Sequence, residues 1–531
     1  MTTASLSPGG VCSYPRKVSH VPESNENGNG YDFVVVANRL AVNHVTNEDG
    51  TIGWERSPGG LVTALAPLME SSEGAWVGWH GAADDVLEPF DHGDMHLVPV
   101  PLSSEDIEDY YEGFSNGTLW PLYHDVIARP DFHRHWFEAY RRVNQRFAEH
   151  TAQVAAPNAT VWVQDYQLQL VPAMLRDLRP DLTIGFFNHI PFPPPGLFSQ
   201  LPWRHSVLRG LLGADLIGFQ RASDASNFRR AVHNRMGYYV EDEMIHVPLQ
   251  TNAPDHGSPL AGFNADADRG TAVRVNSAPP AGAARLVEAK EFPISIDTAT
   301  ITALAKREDI IARSQKIREE LGNPETVLLG VDRLDYTKGI RHRMKAYEEL
   351  LQNGSLTVGQ VCMVQVASPS REGVESYRLL KEEIEQTVGR ISGEFDTLSH
   401  PAIRYLHHSY PIEEMVALYM AADVMLVTAL RDGMNLVAKE YVAARRGDDG
   451  VLVLSEFTGA ADQLRQALLI NPHDVDELKA AILRATTMDS EDASARMENL
   501  RRQVVHHDVR RWATDFLDRL GELTGVVSVK G

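Results

Sequence analysis

The sequence is nearly free of cysteine. Its two cysteines, Cys12 and Cys362, exclude a disulfide framework and a thiolate-rich zinc site. No charge-free apolar run reaches the ~18–20 residues that a membrane-spanning helix needs, and residues 1–30 lack the continuous apolar stretch of a signal peptide. We therefore expect a soluble, cytosolic protein.

Basic residues are also in deficit. The chain has 50 Lys and Arg against 72 Asp and Glu, a net charge of −22. Proteins that bind nucleic acid or anionic membranes usually carry the opposite balance, because contacts to phosphate dominate their affinity. The sequence therefore predicts no nucleic acid and no membrane as partners. An anionic ligand would have to be held by a few well-placed Arg and Lys.

The 531 residues leave room for two to four domains at about 100–200 residues each. Short apolar, β-branched runs alternate with helical patterns, which is typical of parallel sheets covered on both faces. Two such series occur, so we predict an α/β protein with two doubly wound, Rossmann-like domains facing across a cleft. The clearest predicted strands are 33–36, 161–163, 183–187 and 215–219 in the first series, and 327–331, 361–366, 403–406, 424–427 and 451–454 in the second.

Composition sets the predicted boundaries. Residues 1–30 are rich in Ser, Pro, Asn and Gly and read as a disordered tail. The domains are placed at 31–298 and 299–490, and 491–531 is expected to be a C-terminal helix that packs back toward the first domain. Residues 251–290 hold ten Ala, four Gly and four Pro and are predicted to be a mobile insertion, with a strand resuming at 292–296.

Polar side chains follow the strands of the first series. Ligands of open α/β sheets bind beyond the carboxyl ends of the strands, so Arg39, Asp165 and His189 are candidates to bind a polyhydroxylated ligand. Gly59 and Gly60 precede a helical pattern, where backbone amides could approach a phosphate or sugar. The alternatives are a plain turn at the glycines, a surface ion pair for Arg39, and strand-end groups that satisfy their own loops.

An aromatic segment, 110–120, includes Tyr111 and Trp120. We predict that it is a loop whose rings suit a sugar, although aromatic residues more often belong to a core.

Two basic residues follow the first strand of the second series. Arg333 and Lys338 lie five residues apart across a predicted turn, and together they could neutralise a diphosphate leaving group. Arg371 follows the next strand. The alternative for Arg333 and Lys338 is a set of salt bridges that they make with Asp332 and Asp335.

The strongest local signal is 428–441. A buried strand ends in Arg431-Asp432-Gly433, and a helix follows whose first amides would bind an anion, with Glu440 on the same face as Leu436. That pattern suits a nucleotide, with its diphosphate at the helix end and its ribose at Glu440. The alternative is an Asp N-cap with an exposed Glu.

Taken in order, these motifs resemble those of the trehalose-6-phosphate synthases, from about Tyr31 to the last helix. The resemblance implies a GT-B fold and transfer of glucose from a nucleoside-diphosphate glucose to glucose 6-phosphate, giving α,α-trehalose 6-phosphate with retention of configuration. It also implies that the acceptor attacks on the face that the diphosphate leaves, without a covalent enzyme intermediate. No cofactor and no metal are expected.

The resemblance also implies roles for individual residues. The first domain would hold the acceptor and the second the nucleotide sugar. The catalytic group is Arg333, Lys338, Asp165 and His189. The acceptor would be bound by Arg39, Tyr111, Trp120, Asp165 and Arg371. The donor would be bound by Gly59, Gly60, His189, Arg333, Lys338, Tyr410, Asp432, Gly433, Met434, Asn435, Leu436, Val437, Ala438, Lys439 and Glu440.

Two other functions fit the same scaffold. One is a related transferase with a different acceptor, such as a glucosylglycerol-phosphate synthase. The other is a non-catalytic sugar-phosphate sensor, which should have lost part of the leaving-group residues. The resemblance further implies a homo-oligomer; a tetramer is compatible with it, but the sequence does not define the order of the oligomer.

Overall fold

The computed structural model describes residues 30–46, 52–57, 62, 65, 69, 74–249, 284–371, 373–445, 447 and 449–525. Its strands are β1 (Tyr31–Arg39), β2 (Val42–Thr46), β3 (Ile52–Arg56), β4 (Ala75–Trp79), β5 (Phe90–His92), β6 (Met95–Pro99), β7 (Ala155–Gln164), β8 (Thr183–Asn188), β9 (Leu216–Phe219), β10 (Tyr239–Glu241), β11 (Met244–Pro248), β12 (Ala284–Glu291), β13 (Thr326–Arg333), β14 (Val361–Ser368), β15 (Ile403–Leu406), β16 (Val424–Val427), β17 (Val451–Ser455) and β18 (Leu468–Ile470).

The first sheet has the strand order β10-β11-β12-β9-β8-β7-β1-β4-β6-β5. Its central strands, from β12 to β6, pair in parallel, and antiparallel pairs close both edges. The middle strands are buried on both faces, as in Thr183–Asn188, where every residue is buried. That burial explains why these strands show as unbroken apolar runs in the sequence.

The second sheet has the order β15-β14-β13-β16-β17-β18, and all of its pairs are parallel. The chain therefore contains two parallel α/β units, and the predicted α/β class is confirmed. Every predicted strand of the second series falls within one of these strands.

Helices cover both sheets. The described helices are Ser104–Asp106, the π-helix Ile107–Leu119, Trp120–Tyr123, Arg134–Val154, Tyr166–Leu168, Val171–Leu178, Pro195–Phe198, Arg204–Leu211, Ala222–Met236, Thr298–Leu304, Glu308–Glu320, Tyr336–Lys338, Ile340–Gln352, Glu375–Phe395, Ile412–Ala421, Leu436–Ala444, Ala460–Gln463, Val475–Thr486, Ser490–His506 and Val509–Thr524. None of them is long and apolar enough to cross a membrane.

Three local predictions are wrong. The aromatic segment is not a loop but the thirteen-residue π-helix Ile107–Leu119. The end of the predicted mobile insertion, 284–290, lies in β12. The predicted strand 292–296 belongs to no strand of either sheet, because the pairing of β12 with β9 ends at Glu291. The tail and residues 250–283 lie outside the described residues.

The C-terminal segment forms two helices rather than one, because Asp508 caps the start of Val509–Thr524. This last helix packs on the first sheet, where the ring of Phe516 stacks on Trp162 at 4.4 Å. It also contacts the chain between the two sheets, since Trp512 Nε1 donates to the Phe292 carbonyl at 3.1 Å.

Candidate active site

Four of the predicted functional side chains lie where the carboxyl ends of the two sheets face each other. Arg39 ends β1, Asp165 follows β7 and His189 follows β8, while Arg333 ends β13. In a parallel sheet all such positions share one edge. Two sheets facing in this way bring loops from both halves of the chain to one cleft.

A cavity of about 450 Å³ occupies this cleft. His189 and Gln220 line it from the first half of the chain, and Arg333, Lys338 and residues 434–437 line it from the second. Eight of the predicted donor-binding residues therefore surround one cavity: His189, Arg333, Lys338, Asp432, Met434, Asn435, Leu436 and Val437.

Lys338 is held by a carboxylate. Its Nζ lies 2.5 Å from Oδ2 of Asp432, and the same oxygen accepts from Asn435 Nδ2 at 3.2 Å. Burial raises the pKa of Asp432, but the Lys338 ammonium together with His124 and Asn435 outweighs that effect, so the pKa of this carboxyl lies below its usual range. Asp432 is thus ionised at neutral pH and fixes the ammonium at the cavity wall.

Arg333 differs from Lys338 because it has no carboxylate partner among the described residues. Its side chain is exposed to the cleft, and its guanidinium lies 5.5 Å from the centre of the Trp120 ring. An unpaired guanidinium in a protein with a strong acid surplus is available to an anion.

The helix Leu436–Ala444 points its amino end at the cavity. Asn435, at a φ of 77°, caps it by accepting from the Ala438 amide at 3.2 Å. The predicted alternative, an Asp432 N-cap, is wrong because Asp432 pairs with Lys338. Leu436 and Val437 at the cavity wall carry amides without an intrahelical acceptor, and such helix ends bind phosphate.

The loop before this helix touches the first half of the chain. A Cβ on Gly433 would lie within van der Waals overlap of the His189 carbonyl oxygen. Only glycine permits this close approach of the two backbones.

Asp165 and His189 form one unit at the ends of β7 and β8. Oδ1 of Asp165 accepts from the His189 amide at 3.1 Å, and Asp165 has a φ of 72°, a conformation that non-glycine residues rarely adopt. Burial raises the pKa of Asp165 to about 6. Burial lowers the pKa of His189 to about 3, so its imidazole is neutral, and Nε2 lies 2.9 Å from the Gln164 amide oxygen.

Trp120 and Arg371 form the wall next to Arg333. The Arg371 guanidinium lies over the Trp120 ring at 3.7 Å and pairs with Asp335 at 3.1 Å. It also donates to the Tyr166 hydroxyl at 3.1 Å. Arg371 is therefore fixed and largely buried, with 6% of its side chain exposed. The alternative that Asp332 and Asp335 form salt bridges with Arg333 and Lys338 is wrong, because Asp335 pairs with Arg371 and Asp332 pairs with Arg343.

Arg39 and Tyr111 pack against one aromatic ring. The Arg39 guanidinium lies 4.9 Å from the centre of the Trp79 ring, and Tyr111 packs edge-on against the same ring at 6.0 Å. Arg39 has an exposed side chain and no ion pair with a described residue. Gly81, at a φ of 108°, leaves the space that the guanidinium occupies.

Some predicted site residues do not line the cavity. The Lys439 side chain is buried and donates to the Ile294 carbonyl at 2.7 Å, which contradicts a side-chain role in donor binding. Ala438 is buried with its amide used in the cap. Glu440 accepts from the Tyr419 hydroxyl at 2.7 Å, and Tyr410 lies beyond β15 beside His408. Gly59 and Gly60 lie outside the described residues.

The sequence interpretation missed the residues that hold the predicted ones in place. The Tyr377 hydroxyl accepts a hydrogen bond from Arg371 and donates one to Oδ2 of Asp335, the same oxygen that pairs with Arg371. His124 packs at a tilt against Trp120, with the ring centres 4.1 Å apart, and Gln164 orients His189. The only signal in the sequence is that Gln164 directly follows a predicted strand. No group of three or more His, Cys, Asp or Glu among the described residues is arranged to hold a metal ion.

The fold and the cleft together define a glycosyltransferase of the GT-B type. The family model of glycosyltransferase family 20 matches residues 31–522, so the chain belongs to that family.

Similar proteins agree with this assignment. The chain is 53% identical to the trehalose-6-phosphate synthase of Mycobacterium avium over 496 residues, which cover 92% of this chain and 95% of that protein. It is 32% identical to an α,α-trehalose-phosphate synthase (UDP-forming) from Burkholderia vietnamiensis, with a TM-score of 0.80 over 94% of this chain and 99% of that one. A Burkholderia xenovorans synthase in complex with glucose 6-phosphate is 30% identical, with a TM-score of 0.78 over 92% of this chain and 99% of that one.

Proposed function

We propose that the protein transfers glucose from a nucleoside-diphosphate glucose to glucose 6-phosphate and forms α,α-trehalose 6-phosphate with retention. One observation supports this most strongly. A single cavity is bounded by two cations, a helix amino end and His189, whose backbone amide is held by Asp165, and the wall of Trp120 and Arg371 lies next to Arg333. The names of the similar proteins support the same reaction.

In this proposal, the donor diphosphate lies between Arg333, Lys338 and the amides of Leu436 and Val437. When the glycosidic bond breaks, negative charge grows on the diphosphate, and fixed positive groups stabilise that charge without reorganising. Asp432 keeps Lys338 in position before the donor arrives. The backbone of the helix provides the rest of the anion site.

The sugar of the donor lies near His189 and Asp165. Because the Gln164 oxygen beside Nε2 of His189 can only accept, Nε2 carries the hydrogen and Nδ1 is left as an acceptor for a sugar hydroxyl. Asp165 with a pKa near 6 is ionised at neutral pH and accepts hydroxyl hydrogens. Closure of the cleft excludes water and suppresses hydrolysis of the donor.

The acceptor lies between Arg39 and the Trp120 wall. Arg39, free of a carboxylate among the described residues, faces the acceptor phosphate, while Tyr111 and Trp120 contact its ring. Arg371 lies near the same phosphate, and its fixed position on Trp120 orients that wall. A homo-oligomer and a cytosolic location stay predictions of the sequence.

The experiment is an acceptor and donor panel. Purified protein is supplied with ADP-, GDP- or UDP-glucose and with glucose 6-phosphate or glycerol 3-phosphate, and release of nucleoside diphosphate is measured. We expect release with glucose 6-phosphate only. Preference for glycerol 3-phosphate would indicate the related transferase, and binding of glucose 6-phosphate without turnover of any donor would indicate a sensor.

An Arg333→Ala variant tests the residue assignment in the same assay. Arg333 is exposed and unpaired among the described residues, so the fold should not change, whereas transfer should fall by about 10²–10³-fold. Thermal unfolding checks the fold. Unchanged turnover in the folded variant refutes the assigned role.

A further inference from the structure

The turn that follows Trp120 connects two parts of the site. One is the acceptor wall, formed by Trp120 and Arg371, and the other is the donor loop, residues 431–435. The His124 ring packs at a tilt against the Trp120 ring, with the ring centres 4.1 Å apart, and its Nδ1 donates to the Trp120 carbonyl at 2.8 Å. Asp125 and Val126 come next, both in the left-handed region with φ of 56° and 59°. That conformation is rare for a β-branched residue and costs about 1–3 kcal/mol.

Backbone hydrogen bonds hold the turn in this conformation. The Val126 amide donates to the Pro121 carbonyl at 2.9 Å, and the Ile127 amide donates to the His124 carbonyl at 3.2 Å. The turn is thus fixed to the short helix that begins at Trp120. A shift of Trp120 moves the turn as well.

Asp125 reaches across the cleft to the donor loop. Its Oδ2 lies 3.3 Å from Nε of Arg431. Arg431 makes a second ion pair at 3.1 Å with Asp224, whose side chain is fully buried in the helix Ala222–Met236. Arg431 itself has 13% of its side chain exposed. Both carboxylates belong to the first half of the chain, so Arg431 anchors the donor loop to it.

The residue after Arg431 is Asp432, which holds Lys338. A continuous chain of contacts therefore runs from Trp120 through His124 and Asp125 to Arg431, and from there to the Lys338 ammonium. His124, Asp125 and Arg431, the middle of this series of contacts, do not line the donor cavity.

We propose that Asp125 is a positioning residue that links the two substrate subsites. Its ion pair with Arg431 couples the position of the donor loop to the position of Trp120. This inference rests on the proposed function. Binding of glucose 6-phosphate next to Trp120 then favours the loop position that binds diphosphate, and the reverse holds by linkage.

Two variants test the link. Asparagine and glycine both accept positive φ, so Asp125→Asn and Asp125→Gly remove the charge without opposing the turn. The control is Asp462→Asn. Asp462 pairs with Arg221 at 2.7 Å and so also joins the two halves of the chain, through an ion pair that includes no residue of the turn or of the donor loop. The side chains of Asp125 and Asp462 are similarly exposed, at 41% and 51%.

The measurement is the dissociation constant of the product nucleoside diphosphate by calorimetry, with and without saturating glucose 6-phosphate. The donor panel selects which diphosphate is used. In the wild-type protein and in Asp462→Asn, we expect the acceptor to tighten diphosphate binding by on the order of fivefold or more. In both Asp125 variants, that ratio should fall by about threefold or more, and the donor KM should rise, with no loss of thermal stability.

The outcomes separate the two proposals. The link is refuted if glucose 6-phosphate tightens diphosphate binding as much in both Asp125 variants as in the wild-type protein. If that wild-type protein transfers glucose, the proposed function remains intact. A wild-type ratio of one refutes the link in the same way. A protein without transfer activity toward any donor refutes the proposed function itself.

Discussion

Replacing Lys338 by Met separates catalysis from stability on the donor side of the cleft. The Lys338 and Asp432 side chains are 10% and 14% exposed, and 2.5 Å separates their charged atoms. A fixed group that stabilises developing charge contributes about 3–4 kcal/mol, so kcat should fall by about 10²–10³-fold. The variant also leaves Asp432 without its cation.

The loss of stability follows from that unpaired carboxylate. Breaking a buried pair on one side costs about 3–5 kcal/mol, and some water access to both groups reduces this to roughly 2–3 kcal/mol. Adding Asp432→Asn removes the unpaired charge. The double variant Lys338→Met/Asp432→Asn should therefore regain most of the thermal stability and none of the turnover.

A matched control exists on the last helix. Arg519 binds Glu288 through two hydrogen bonds of 2.7 and 2.9 Å, and Glu288 is 3% exposed. Arg519→Met should lower the unfolding temperature as Lys338→Met does and leave kcat unchanged. The assays are diphosphate release and thermal unfolding. Recovery of turnover in the double variant, or a Lys338→Met rate within threefold of wild type, refutes the assigned role of Lys338.

Three more changes have defined outcomes. Burial raises the pKa of Asp165 to about 6, so the folded state binds its proton more tightly than the unfolded chain, and stability is lost as pH rises from about 4 to 6. Asp165→Asn should therefore unfold at a higher temperature than wild type at pH 7.5, with a smaller gain near pH 4, and should lack the acid limb near pH 6 in kcat/KM. Trp120→Leu removes the ring under Arg371 and should raise the KM for glucose 6-phosphate by roughly tenfold, with a smaller change for the donor. Burial lowers the pKa of Lys439 to about 7, so the wild-type protein gains stability between pH 7 and about 10. Lys439→Met should lack that gain in thermal unfolding.

Each of these three has a contrary result. An unchanged acid limb in Asp165→Asn assigns the ionisation to another group. Equal increases of both KM values in Trp120→Leu indicate a general loss of structure rather than of the acceptor wall. A wild-type pH dependence of stability in Lys439→Met shows that the buried ammonium is not its cause.

The strands were predictable because they are buried on both faces. Segments such as Val424–Val427 have no polar residue, and their pattern depends on no distant contact. The positions of Arg333 and His189 followed from the same logic, since residues that end parallel strands share one edge.

The π-helix Ile107–Leu119 was not predictable from a periodicity. The ring of Trp136 lies against Gly113 and Gly117, where a Cβ at either position would press on the ring. The helix form therefore depends on packing against a residue outside the segment. Pairing across the cleft was beyond the sequence for the same reason, because Arg431 and Asp224 are 207 positions apart.

The product itself tests the central claim most directly. The protein is supplied with nucleoside-diphosphate glucose labelled with ¹³C at the anomeric carbon and with unlabelled glucose 6-phosphate, and the product is examined by NMR. We expect a 1,1-linked disaccharide in which both anomeric carbons are α, with the label on the ring that carries no phosphate. A β linkage at the labelled carbon, or labelled free glucose as the main product, contradicts retaining transfer to glucose 6-phosphate.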